Sequence, residues 1–139
     1  MKDRIRAAFR DFGRGEPGTL VALLAPDVAY TVIGTTALSG TLHGPDQVLT
    51  RLLRPLAAAL ATPLALEIVS TTAEGDRVVV EARGRATLVS GAPYDNTYCF
   101  VFRFNDAGQI QYLTEHWNTW HAYRQLFNNF EVEPAHPLD

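Results

Sequence analysis

Tyr94-Asp95-Asn96-Thr97-Tyr98-Cys99-Phe100-Val101-Phe102-Arg103-Phe104 is the stretch on which the fold turns. Its side chains alternate with a period of two, the mark of a strand with one covered face. Tyr94, Asn96, Tyr98, Phe100 and Phe102 share one face, and Asp95, Thr97, Cys99, Val101 and Arg103 share the other. The first set is the more apolar and is expected to face inward. The same period governs residues 64–72, 77–90 and 109–119, and short turns separate these segments: Glu74-Gly75-Asp76, Gly91-Ala92-Pro93 and Asn105-Asp106-Ala107-Gly108. Long strands joined by short turns pair as antiparallel hairpins.

Upstream the period changes. Ile5, Ala8, Phe9 and Phe12 fall at helical spacing and predict an amphipathic first helix ending at Gly13-Arg14-Gly15. Pro17 and the run Leu20, Val21, Leu23, Leu24 predict a short second helix that Ala25-Pro26 ends. Residues 28–33 then read as a strand with Val28, Tyr30 and Val32 on one face, and Thr41-Leu42-His43 as a short paired segment. A third helix is expected over residues 44–61, apolar along Val48, Leu49, Leu52, Leu53, Leu56 and Leu60 and kinked at Pro55. Helices first and a meander afterwards make the fold class α+β. Residues 1–127 are expected to form one domain and residues 128–139, with Pro134 and Pro137, an extended tail.

Composition narrows the functional classes. The 139 residues carry a net charge of −3, and the 12 Lys and Arg are scattered without the basic stripe that phosphate backbones require, so no nucleic-acid partner is expected. The weakly polar run over residues 55–66 is shorter than the ~20 residues of a spanning helix, and no membrane partner is expected. The single Cys99 cannot form an internal disulfide, and no apolar export segment follows Met1-Lys2-Asp3-Arg4. Cytoplasmic residence is the resulting expectation. His43, His116, His121 and His136 lack metal-ligand spacing, and no glycine-rich phosphate loop or nucleophile elbow is present. No metal or other cofactor is expected.

The succession Leu23-Leu24-Ala25-Pro26-Asp27-Val28-Ala29-Tyr30, Leu38-Ser39-Gly40-Thr41-Leu42-His43-Gly44, Phe100-Val101-Phe102-Arg103-Phe104 and Asn105-Asp106-Ala107-Gly108-Gln109-Ile110 resembles the SnoaL-like and ketosteroid isomerase-like branches of the nuclear transport factor 2-like superfamily. The resemblance covers roughly residues 5 to 120. It implies a cystatin-like cone in which a curved antiparallel sheet is wrapped by N-terminal helices around a small-molecule pocket. It also implies a homodimer paired through the outer sheet face. Isomerases of that superfamily set one aspartate on the first strand, a second on the penultimate strand and a tyrosine on the first helix. Alignment by this resemblance puts Val32 and Phe100 at the two aspartate positions, and the first helix has no tyrosine. Steroid isomerisation by that arrangement is therefore not expected.

Strand parity supplies the site residues. In residues 113–118, Leu113 and Trp117 select the inward face and carry Glu115 in with them. A carboxyl between two hydrophobes is desolvated and becomes a candidate acid or base near neutral pH. Tyr98 and Asn96 are candidate donors to a carbonyl or enolate oxygen. Tyr30, Val32, Phe100 and Trp117 are expected to line the pocket around them. Structural alternatives stand beside each: a paired carboxylate for Glu115, and satisfied cavity polar groups for Tyr98 and Asn96. Two functions follow, an enzyme that isomerises, cyclises, dehydrates or hydrolyses an apolar carbonyl compound by acid–base chemistry, and a non-catalytic module for a hydrophobic metabolite or partner peptide.

Overall fold

The first helix, α1 (Lys2–Phe12), buries Ile5, Ala8 and Phe9, the face that its spacing predicts. The structure, a computed structural model, describes residues 1–127; the expected tail lies outside the described residues. Next come α2 (Gly18–Leu23), β1 (Leu24–Val32) and β2 (Gly40–His43). The expected third helix is broken into three pieces: α3 (Gly44–Val48), a π-helical turn (Leu49–Leu53) and α4 (Arg54–Ala59). Pro55 has no N–H to donate, and the predicted kink takes the form of a widened turn just before it, in which the Arg54 N–H reaches back to the Leu49 carbonyl.

The meander follows as β3 (Ala65–Glu74), β4 (Arg77–Thr87), β5 (Pro93–Phe104) and β6 (Ile110–Trp117). A last helix, α5 (Thr119–Leu126), begins where the sequence reading still had strand. Its signal is the Asn118 side chain, which accepts the His121 N–H at 3.0 Å and caps the helix.

The six strands form one sheet in the order β2-β1-β6-β5-β4-β3. Every join is antiparallel except β1 with β6, which is parallel. The hairpin argument holds from β3 to β6. It does not reach β1, because the helices and the whole meander intervene and return the chain beside β1 in the same direction. The β1–β6 register shifts between Leu24 and Ala29, around Pro26, which cannot donate to a ladder. Further shifts at Ile68/Ser70 and Arg103/Phe104 help bend the sheet.

The burial pattern of β5 follows the predicted parity, with Tyr94, Asn96, Tyr98, Phe100, Phe102 and Phe104 all buried. Phe9 meets Phe100 edge-on with ring centroids 5.1 Å apart, so the apolar stripe of α1 is seated on this face. Each such fully buried side chain contributes about 1.5–3 kcal/mol relative to exposure. Phe9→Ala would remove the anchor between helix and sheet. Among the described residues no helix is long and apolar enough to cross a membrane.

Candidate functional site

Strand pairing assembles the centre of the cone. Val32 stands beside Glu115 in the parallel register, and Phe100 stands opposite Glu115 across the antiparallel join. Glu115 is 8 % exposed, and its Oε1 accepts the hydroxyl of Tyr30 at 2.8 Å. Burial pushes the Glu115 carboxyl up to about 7, against the opposing pull of the Tyr30 bond. The Tyr30 hydroxyl is pushed well above its ordinary value, by burial first and then by the Glu115 charge.

A central cavity is lined from the sheet by Tyr30, Tyr98, Phe100, Phe102, Leu113, Glu115 and Trp117. Phe9, Phe12 and Leu20 close it from α1 and α2, Leu38 from the loop after β1, and Leu52, Leu53 and Leu56 from the π turn and α4. Among the described residues, the side-chain oxygens in this lining belong to Tyr30, Tyr98 and Glu115 alone. Free volume is about 30 Å³, room for one or two water molecules.

Tyr98 is held on both sides. Its ring stacks on Phe100 at 5.4 Å and on Trp117 at 6.4 Å, and its hydroxyl is 2.7 Å from that of Tyr94. Burial pushes the Tyr98 hydroxyl well up. The indole N–H of Trp117 donates to the Ile33 carbonyl at 3.0 Å, which fixes the ring. The same carbonyl accepts the Ser39 hydroxyl, latching the loop that carries Leu38.

Of the residues singled out in the sequence, Glu115, Tyr98, Tyr30, Phe100 and Trp117 meet around this cavity. Val32 and Asn96 do not line it. Val32 is 1 % exposed beside Glu115, and its short side chain ends in the core. Asn96 faces inward, but its amide is fully engaged: Oδ1 accepts the N–H of Thr97 at 2.8 Å and of Asn118 at 3.0 Å, and Nδ2 donates to the Asn118 carbonyl at 3.2 Å and the Tyr94 hydroxyl at 3.4 Å. It ties β5 to the start of α5. Sequence reasoning missed Tyr94, which its own parity argument had already placed on the inner face. It also missed the pairing of Tyr30 with Glu115, which depends on the parallel join.

Elsewhere, His43 is exposed at the end of β2, away from the cavity. His121 pairs with Asp95 at 2.6 Å on the opposite side of the sheet. Among the described residues no three His, Cys, Asp or Glu side chains converge as metal ligands.

The model of the SnoaL-like domain matches residues 5–113. This chain belongs to the SnoaL-like domain family. No curated protein matches it. Among solved structures, a nuclear transport factor 2-like protein of unknown function from Burkholderia pseudomallei superposes with a TM-score of 0.80 at 27% identity, over 90% of this chain and 95% of its own. TerC, co-crystallised with polyporic acid, gives a TM-score of 0.76 at 21% identity, over 91% and 97% of the two chains. A protein of ketosteroid isomerase-like fold from Catenulispora acidiphila, in complex with trimethylamine, gives 0.73 at 17%, over 94% and 97%. The SnoaL-like chain thus has the nuclear transport factor 2-like cone, with its polar groups concentrated on β1, β5 and β6.

Proposed function

We propose that this SnoaL-like cone binds a small apolar molecule bearing a carbonyl group and moves a proton on it. One observation carries the reading: a carboxyl buried among hydrocarbon side chains and bonded to Tyr30, a setting in which burial pushes it up to about 7. Near neutral pH both forms of Glu115 are populated, so the group can take a proton and return it. As base, its carboxylate takes the proton from the carbon beside the carbonyl. The C–H electron pair becomes a C=C bond, and the carbonyl π pair moves to oxygen. Tyr98 donates its hydroxyl to that oxygen as charge develops. Protonated Glu115 then returns the proton to carbon. This step is common to isomerisation, aldol-type cyclisation and dehydration.

Asn96 takes a supporting place in this reading. Its amide donates to the Tyr94 oxygen at 3.4 Å, and the Tyr94 hydroxyl lies 2.7 Å from that of Tyr98, where either can donate, so the amide anchors the phenol pair of which Tyr98 reaches the cavity. The polyporic acid complex of TerC supports a small-molecule occupant for a cone of this shape.

The test is deuterium exchange. Incubated in D₂O with butanone, the wild-type protein accelerates loss of the α-proton signals by NMR, and Glu115→Gln does not. Equal rates in the two proteins would sink the reading. A non-catalytic holder of a hydrophobic metabolite is favoured by Val32 and Phe100, which put hydrocarbon beside and opposite Glu115 at the positions where the isomerases carry aspartates. It predicts butanone binding without any exchange.

The outer face completes the proposal. Thr97, Val101, Arg103, Thr114 and His116 lie there with exposed Val69 and Tyr112, and we assign it to a second copy of the chain. Light scattering at micromolar concentration should give twice the 15.3 kDa chain mass; a monomer mass would remove the interface.

A further inference from the structure

Beside the central cavity, between the ends of α1 and α4, lies an open groove of about 270 Å³. Pro17, Ala57, Leu60 and Pro63 line it, and among the described residues Thr62 alone gives the lining a polar side chain. Four side chains, Phe12, Leu53, Leu56 and Leu64, belong to both linings and form a wall one residue thick between groove and cavity. This wall hangs on irregular backbone. Phe12 is the last residue of α1, two positions before Arg14-Gly15, where Gly15 has φ 82°. Leu53 and Leu56 flank Pro55 at the π turn.

The two compartments differ in chemistry. Among the described residues, the side-chain oxygens of the cavity lining are those of Tyr30, Tyr98 and Glu115, on the sheet side, whereas the groove offers almost nothing but hydrocarbon. The inner space is also too small for more than the head of a molecule. We propose that groove and cavity are two halves of one site, and that its ligand is an elongated amphiphile. Its carbonyl end sits at Glu115 and Tyr98, and its hydrocarbon end crosses the displaced Phe12–Leu53–Leu56–Leu64 wall into the groove. This rests on the proposed function and deepens it by naming the shape of the substrate.

The probes are straight-chain 2-alkanones from butanone to 2-decanone, with affinity read by titration calorimetry. In the wild type each added methylene tightens binding about fourfold once the chain enters the groove. Ala57 is exposed and lines only the groove, so Ala57→Trp fills the outer half without disturbing the core. In that variant the gain with chain length disappears for the long ketones, while butanone binds as before. Ala57→Asp, which leaves the groove open but charged, gives the same selective loss.

Chain-length independence in the wild type, or long ketones bound equally well by both Ala57 variants, overturns the two-part site and leaves the Glu115 reading standing. If Glu115→Gln leaves every affinity unchanged, the inner end is misassigned, and both that reading and the amphiphile orientation fall. Absence of binding by every ketone overturns both together.

Discussion

Gly84 lies directly beneath the ring of Tyr98: a Cβ on Gly84 would come within 2.6 Å of Tyr98 Cε2 and 3.1 Å of Leu64 Cδ1. The glycine pairs with Asn96 across the β4–β5 join, one inward position from the Ala82–Tyr98 pair, so the sheet is thinned where the phenol lies. Gly84→Ala is expected to destabilise the protein by about 1–3 kcal/mol through overpacking, measured by urea unfolding. In a Tyr98→Leu background the cost should shrink by at least half. An equal cost in both backgrounds would show that the ring does not set it.

Glu115 gives stability a definite pH dependence. The native carboxyl holds its proton up to about 7, while the unfolded one loses it near ~4.3. Between these values the native state binds more protons than the unfolded state, so stability falls as pH rises and levels off above 7. The fall is roughly 3.5 kcal/mol. Glu115→Gln should remove most of it, leaving the variant more stable than wild type at pH 8, with the gap closing below pH 4.5. A variant that is less stable at pH 8 would make Glu115 a paired structural carboxylate.

Tyr30→Phe removes the bond that holds the Glu115 carboxyl down. The Glu115 pKa should then rise above 7, which a ¹³C NMR titration of the labelled carboxyl reads directly. Stability should fall by about 1.5–3 kcal/mol at pH 8, where the lost bond served a charged acceptor, and by less at pH 5. A downward pKa shift would mean that water or another donor takes over.

Asn96→Ala strips the acceptor from the N–H groups of Thr97 and Asn118 and the donor from Tyr94 and the Asn118 carbonyl. The expected loss is about 2–4 kcal/mol, the range for breaking a buried polar network. Amide hydrogen exchange at Thr97 and Asn118 should accelerate well beyond the global change. Unchanged exchange there would remove Asn96 from its structural place.

The sequence was most readable where burial is one-sided. In β5 and β6 the inward set as a whole is the more apolar, and parity therefore brought Tyr98, Phe100, Glu115 and Trp117 to one face. Periodicity says which face a residue shares, but not how far its side chain reaches or what occupies its hydrogen bonds. Val32 and Asn96 have the right parity and still miss the cavity, one through its short side chain and the other through an amide already satisfied by backbone. The Tyr30–Glu115 bond joins residues 85 positions apart, and no local pattern encodes that distance. The helix α5 was written in a single capping side chain, Asn118, which strand periodicity running through residue 117 concealed.

The parallel join also sets an order of events as the chain forms. Residues of β1 are made early, yet their partners on β6 come some 85 positions later, so β1 and β5 must each wait with an unpaired edge for the strand that fits between them. That late strand is also the one that carries a carboxyl into hydrocarbon. Between the unfolded and folded pKa of Glu115, insertion of β6 therefore takes up a proton, and mild acidity favours the step that completes the sheet: a refolding chain at pH 5 arrives with Glu115 mostly charged and discharges it as the last gap closes, whereas at pH 8 the carboxylate enters the hydrocarbon with its charge and the closing step is less favourable.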